Sequence, residues 1–184
     1  MKRIFFATLL LTLAGSMLQA QKFTEADKSA MDMAYYPNNF SHDRKPADKP
    51  IIRVVYSRPQ KDGRDIFGAL VPYDKVWRTG ANEATEIKFY QDVMLAGKKV
   101  KAGTYSLFTI PGEKEWTIIL SSDVDYWGAY SYNEKNDVLR LKAPASSIDT
   151  PVENFTIQFE KKGDKDGTMA LAWDKTLVNV PITL

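Results

Sequence analysis

The chain has no cysteine and a single histidine, His42, among its 184 residues. The missing thiols exclude disulfides, thiolate catalysis and cysteine-ligated zinc together, so stability has to come from a packed core. The lone imidazole lies in a polar stretch bounded by Pro37 and Pro50, ahead of the first strong strand pattern, and is the one base available to any Ser-His-Asp arrangement. Long helical periodicities are scarce. After the leader no apolar run approaches the roughly 20 residues that a membrane-spanning helix needs. There is no internal repeat, low-complexity tract or second composition regime.

Charge of one sign is also missing once the leader is set aside. Met1 to Ala20 has a basic start at Lys2 and Arg3, an apolar run from Ile4 to Ala14 and a small residue at Ala20 before Gln21, the order of a secretory signal peptide. No cysteine stands at the cut to take a lipid anchor. Export is therefore expected, with cleavage near Ala20 and a periplasmic or extracellular setting. Lys2 and Arg3 are the leader's only charged residues, so the 25 basic and 23 acidic residues of the whole chain become 23 against 23 in the remainder. A balanced chain has no electrostatic footprint for nucleic acid. The remainder is long enough for one domain that buries most of its surface, read as an N-terminal extension and linker over 21–50 followed by a β-domain over 51–184.

From Ile51 onward the apolar residues recur with period two, the spacing that puts alternate side chains on one face of a strand. Phe155, Ile157 and Phe159 are the clearest set. Similar alternation groups Ile52 with Val54 and Tyr56, Ile87 with Phe89, Trp116 with Ile118 and Leu120, Leu139 with Leu141, Met169 with Leu171 and Trp173, and Val178 with Val180 and Ile182. A further strand is expected near Met31 to Tyr36. Gly-containing turns at Ala96-Gly97, Ala102-Gly103, Pro111-Gly112 and Lys162 to Gly167 separate the runs. The expected fold is all-β, a single-domain antiparallel β-sandwich of jelly-roll or immunoglobulin-like kind, with a closed barrel as the second architecture.

Between two of these strands lies a run without strand periodicity, Tyr56 to Thr85, with a long loop over 58–85. Connections of this length in a compact domain are usually functional. It gathers Arg58, Arg64 and Arg78 beside Trp77, Asn82 and Glu83. A guanidinium is a rigid fork of donors that matches a carboxylate or phosphate in a bidentate pair. Yet Asp62, Asp65, Asp74 and Glu83 nearly balance the basic residues of the loop. The expectation is a self-braced segment, at least two of its arginines pairing with Asp65, Glu83 or backbone carbonyls, that offers a near-neutral pocket walled by aromatic side chains.

The strings YSRP from Tyr56, GRDIFGALVPYDKVWRTGANEAT from Gly63, AGTYSLFTIPG from Ala102, EWTIIL from Glu115 and WGAY from Trp127 to Tyr130 together resemble the family called domain of unknown function 2911. The resemblance spans most of the chain after the leader. It implies an exported bacterial protein with a β-rich domain and brings no activity, cofactor or partner with it.

Trp116 and Trp173 fall inside alternating strands and are expected in the core. Trp77 and Trp127 fall outside such patterns, next to Gly and Arg, and with Tyr130 are candidates to face a ligand. The expected ligand-binding set is Arg58, Arg64, Trp77, Arg78, Asn82, Glu83, Trp127 and Tyr130, for a polar small molecule or a glycan. No cofactor or metal site is expected. Glu83, with Asp65, is the candidate catalytic pair for the alternative of a carboxylate-dependent glycan hydrolase. A structural or partner-binding module is the third reading, and the oligomeric state is open.

Overall fold

The computed structural model describes residues 21–38 and 40–184; the leader from Met1 to Ala20 lies outside the described residues. The chain forms one antiparallel sheet built from β1 (Met31–Tyr36), β2 (Ile52–Ser57), β3 (Thr85–Phe89), β4 (Val93–Leu95), β5 (Lys98–Val100), β6 (Gly103–Ile110), β7 (Glu115–Ser121), β8 (Asp137–Lys161) and β9 (Asp166–Thr183). The order across the sheet is β1-β2-β3-β6-β7-β8-β9-β4-β5, and it does not close into a barrel. A single helical turn, α1 (Phe40–Asp43), follows β1. Among the described residues no helix is long and apolar enough to cross a membrane.

β8 is the hinge of this arrangement. Its first part, from Asp137 to Pro144, pairs with β7, and from Ala145 onward it pairs with β9, with register shifts between Ser147 and Thr156. One long strand therefore serves both halves of the sheet, where the sequence pattern suggested separate strands at 139–141 and 155–159. β9 likewise joins the two alternating sets at 169–173 and 178–182 in a single strand.

The period-two apolar sets of both halves meet in one buried cluster. Ile52, Val54, Tyr56, Ile87, Phe89, Ile118 and Leu120 pack with Phe155, Ile157, Phe159, Leu171, Val178 and Val180. This is why alternation is regular in strands such as β2, β3 and β8, where one face has a partner layer and the other is more exposed. The central parts of β6 and β7, in contrast, are buried on both faces. A smaller cluster lies outside the main core, where Phe108 packs against Tyr126 and Tyr132, ring centroids 6.2 and 5.1 Å away. The irregular segment after β7 thus covers part of the sheet's outer face.

The chain leaving β2 seals the edge that β8 exposes. Phe155 N donates to Pro59 O and Lys61 N to Glu153 O, at 2.9 and 2.7 Å. The buried Tyr56 hydroxyl donates to Ile157 O and accepts from Ile157 N, at 3.2 and 3.1 Å. An unpaired strand edge is a template for unwanted pairing, and covering it with a loop is a common remedy. Further along, Ile66, Phe67 and Val71 turn inward at the end of the core. The ring of Phe67 meets Trp77, Trp116 and Trp173 edge-on at 5.9, 4.8 and 6.1 Å.

Candidate functional site

Between β2 and β3 the chain makes no regular helix or strand, and its two ends are held by different means. At the start, Arg58 is fully engaged: Nη1 pairs with Asp32 Oδ2 at 2.9 Å, Nε donates to Phe155 O at 3.2 Å and Nη2 to Thr156 Oγ1 at 2.9 Å. Arg64 curls back on its own turn, donating from Nε to Lys61 O at 2.9 Å and from Nη2 to Gln60 O. Both side chains tie the segment down, Arg58 to β1 and β8 and Arg64 to its own turn.

The other end, from Trp77 to Asn82, is fixed by its backbone. Trp77 and Thr109 exchange two backbone hydrogen bonds, at 2.7 and 3.0 Å. The Trp77 ring is 7% exposed, stacked on Trp173 at 6.0 Å and edge-on to Phe155 at 5.0 Å, and its Nε1 donates to Gly80 O at 3.1 Å. Thr79 is fully buried with φ of +57°, a conformation that costs a β-branched residue about 1–3 kcal/mol and survives only where the surroundings over-determine it. Here they do. Thr79 Oγ1 donates to Thr109 Oγ1, and Thr79 O accepts from Thr85 Oγ1, at 3.1 and 2.6 Å. At Gly80 a Cβ would lie 3.0 Å from Ser57 O and 3.3 Å from Thr85 Oγ1, so the turn sits flush against β2. Asn82 also has positive φ, +58°, which an asparagine tolerates well.

This clamped turn presents Arg78 into a cleft of about 400 Å³, within the usual size range of small-molecule sites. Leu70, Pro72, Trp77 and Trp173 supply its apolar lining, and Ser29 and Asn82 add neutral polar groups. Its charged residues are Arg64, Lys75 and Arg78; no Asp or Glu lines it. Four buried side-chain polar atoms among the described residues find no hydrogen-bonding partner: Arg53 Nε, Arg78 Nε, Trp116 Nε1 and Asp137 Oδ1. Arg53 and Asp137 are bonded through another atom, to Glu86 and Arg140, whereas no nitrogen of the Arg78 guanidinium has a partner among the described residues. Leaving such a group unsatisfied costs about 1–3 kcal/mol, more when it is charged.

Glu83 points to a second depression, of about 430 Å³, with Glu86, Asp125, Tyr126, Trp127 and Met31. Backbone bonds knit its rim, from Ala84 N to Tyr126 O at 2.8 Å and from Gly128 N to Asn82 O at 2.9 Å. The Tyr126 hydroxyl donates to Asp123 Oδ2 at 2.6 Å, and that bond, helped by burial, raises its pKa above the ordinary phenol value. Trp127 is 63% exposed and Tyr130 81%, and their rings stack on each other 5.7 Å apart at 13°. Gly128 allows this: it has φ of +73°, and a Cβ there would lie 2.7 Å from the Tyr130 ring.

A family model described as "Protein of unknown function (DUF2911)" matches residues 41–182. The chain belongs to that family. No curated protein and no solved structure matches it.

The structure divides the expected ligand-binding set. Arg64, Trp77, Arg78 and Asn82 line the cleft; Glu83 and Trp127 line the second depression, with Tyr130 stacked on Trp127. Arg58 belongs to neither, being held against β8 and Asp32. Asp65 lines a separate depression with Phe67 and Tyr73, so Glu83 and Asp65 do not face a common space. Among the described residues no cluster of three or more His, Asp or Glu could hold a metal ion. The expectation of a near-neutral pocket is corrected: Asp62, Asp65, Asp74 and Glu83 balance the basic residues along the chain but none of them lines the cleft. Sequence reasoning missed Ser29 and Lys75. Ser29 precedes β1 and no local signal links it to the loop; Lys75 was hidden in the charge count.

Proposed function

We propose that this protein binds a polar small molecule non-covalently in the cleft beneath the Trp77 to Asn82 turn. The observation that carries the reading is Arg78, a charged side chain with a buried, unpartnered Nε, set on a backbone fixed from three sides. Rigid placement of the binding group lowers the ordering cost that a ligand must overcome. The leader pattern of Met1 to Ala20 adds a location: the protein works outside the cytoplasm after export.

The test is a thermal-shift screen of the purified protein against charged and neutral small metabolites, repeated with Leu70→Trp. Leu70 lines the cleft and is exposed, so a larger ring there obstructs the space without disturbing the core. At least one compound should raise Tm in the parent protein and lose that effect in the variant. A screen in which nothing shifts Tm, or in which the obstructed variant responds equally, would sink the reading.

A second reading rests on the exposed Trp127–Tyr130 stack. A sugar ring packs well on a flat indole face, and Glu83 and Asp125 beside it could accept hydrogen bonds from hydroxyls. Retention on immobilised glycans that survives Trp127→Ala would remove it.

A further inference from the structure

We infer that the ligand of the cleft is an organic oxyanion, a carboxylate or phosphate carried on a flat apolar body. This rests on the cleft being a binding site and names the chemistry that it selects. The cationic residues Arg64, Lys75 and Arg78 line one space with no carboxylate among the lining residues. Cations gathered without a counter-charge raise the local concentration of anions and speed their capture. The three differ in how they are held. Arg64 has Nε and Nη2 bonded to carbonyls, Lys75 is an exposed ammonium, and the Arg78 guanidinium has no hydrogen bond or ion pair among the described residues.

Arg78 is therefore the anchor. Carboxylate and phosphate present two oxygens at the spacing of a guanidinium edge, and the two Nη nitrogens, which unlike Nε are not fully buried, can each donate to one of them. A neutral hydroxyl or amide would satisfy the hydrogen bonds but leave three positive charges uncompensated around it. The rest of the wall sets the body of the ligand: Leu70, Pro72, Trp77 and Trp173 favour an apolar or ring-shaped group, with the Asn82 amide and Ser29 hydroxyl as the neutral polar groups. The depression on the other side of Asn82 has the opposite character, with Glu83, Glu86 and Asp125 and no basic residue lining it. An anion is thus directed to one side of this turn.

Benzoate and benzamide have the same flat body and differ in charge, which makes them the probes; inorganic phosphate tests the oxyanion without the body. Binding is followed through the Arg78 Nε–Hε resonance and by titration calorimetry. Benzoate should move that resonance saturably and bind at least about tenfold tighter than benzamide, with an affinity that falls as salt rises. Phosphate should move the same resonance more weakly. Arg78→Met should reduce benzoate binding about tenfold or more, and Arg64→Met by less. If benzamide binds as well as benzoate, or Arg78→Met binds benzoate like the parent protein, the oxyanion assignment is wrong although the cleft still takes a small molecule. If neither compound nor phosphate binds, or Leu70→Trp binds them unchanged, the assignment falls together with the cleft.

Discussion

Arg58 and Arg78 stand at opposite ends of the same irregular connection and use the same side chain in opposite ways. Around Arg58 the backbone is bonded to β8 and to the segment before β1, through Pro59 O, Lys61 N and Arg58 N, and the guanidinium adds three side-chain contacts to Asp32, Phe155 O and Thr156 Oγ1. Around Arg78 the backbone is secured by Trp77, Thr79 and Gly80, and the guanidinium has no partner among the described residues. Residue type alone therefore says little about role. What distinguishes the two is whether the guanidinium itself is bonded into the fold: that of Arg58 makes three contacts and that of Arg78 none among the described residues.

That contrast makes a ranked set of stability predictions. The largest effect should come from Trp77→Ala, which removes a buried ring packed among Phe67, Trp116, Phe155 and Trp173 and also frees Gly80 O. Large-to-small changes of this kind cost about 3–5 kcal/mol. Urea unfolding should report it, and a loss under about 1 kcal/mol would mean that the turn does not depend on the core. Next comes Arg58→Met. It breaks a partly exposed ion pair with Asp32 and leaves Phe155 O and Thr156 Oγ1 each without this donor, so about 1–3 kcal/mol is expected. Its loss should be clearly larger than that of the same change at position 78.

Strands with one buried and one wet face were legible for that reason, and Phe155, Ile157 and Phe159 alternate accordingly. The continuity of β8 was not. Its middle, from Ala145 to Asn154, is polar, carries Pro151, and shifts register against β9, so locally it reads as a connection. The loop was legible as a long irregular connection, and it does line a cleft, but its inner arrangement was not legible. Trp77 has no periodic neighbours and so looked free to meet a ligand, yet its ring fills the core end and also lines the cleft. Charge counted along a chain also differs from charge in a cleft: Asn82 and Glu83 are adjacent in sequence and line different depressions.

Tyr56 extends the comparison to pH. Its hydroxyl bonds both polar groups of Ile157 beside Arg58, and its pKa is raised, by burial first, against the lowering effects of the Ile157 bond and Arg58. A phenol whose folded pKa lies above the unfolded value of about 10 stabilises fully below that pH, and the contribution fades as pH rises past it. Tyr56→Phe should cost about 1 kcal/mol at neutral pH, from the two lost bonds, and should flatten the fall in stability above pH about 10. An unchanged alkaline limb in the variant would show that the sealed edge of β8 opens before Tyr56 ionises.

The smallest effect is the most discriminating. Arg78→Met replaces an unpartnered buried donor with an apolar chain of similar length, breaks no ion pair and leaves the backbone bonds of the turn in place. Removing a polar group that lacks a partner is close to neutral and can stabilise, so Tm and the urea midpoint should change by the equivalent of no more than about 0.5 kcal/mol in either direction. If the loss instead matches that of Arg58→Met, then the guanidinium holds the turn, the two ends of the connection are built alike, and Arg78 is not free to serve a ligand.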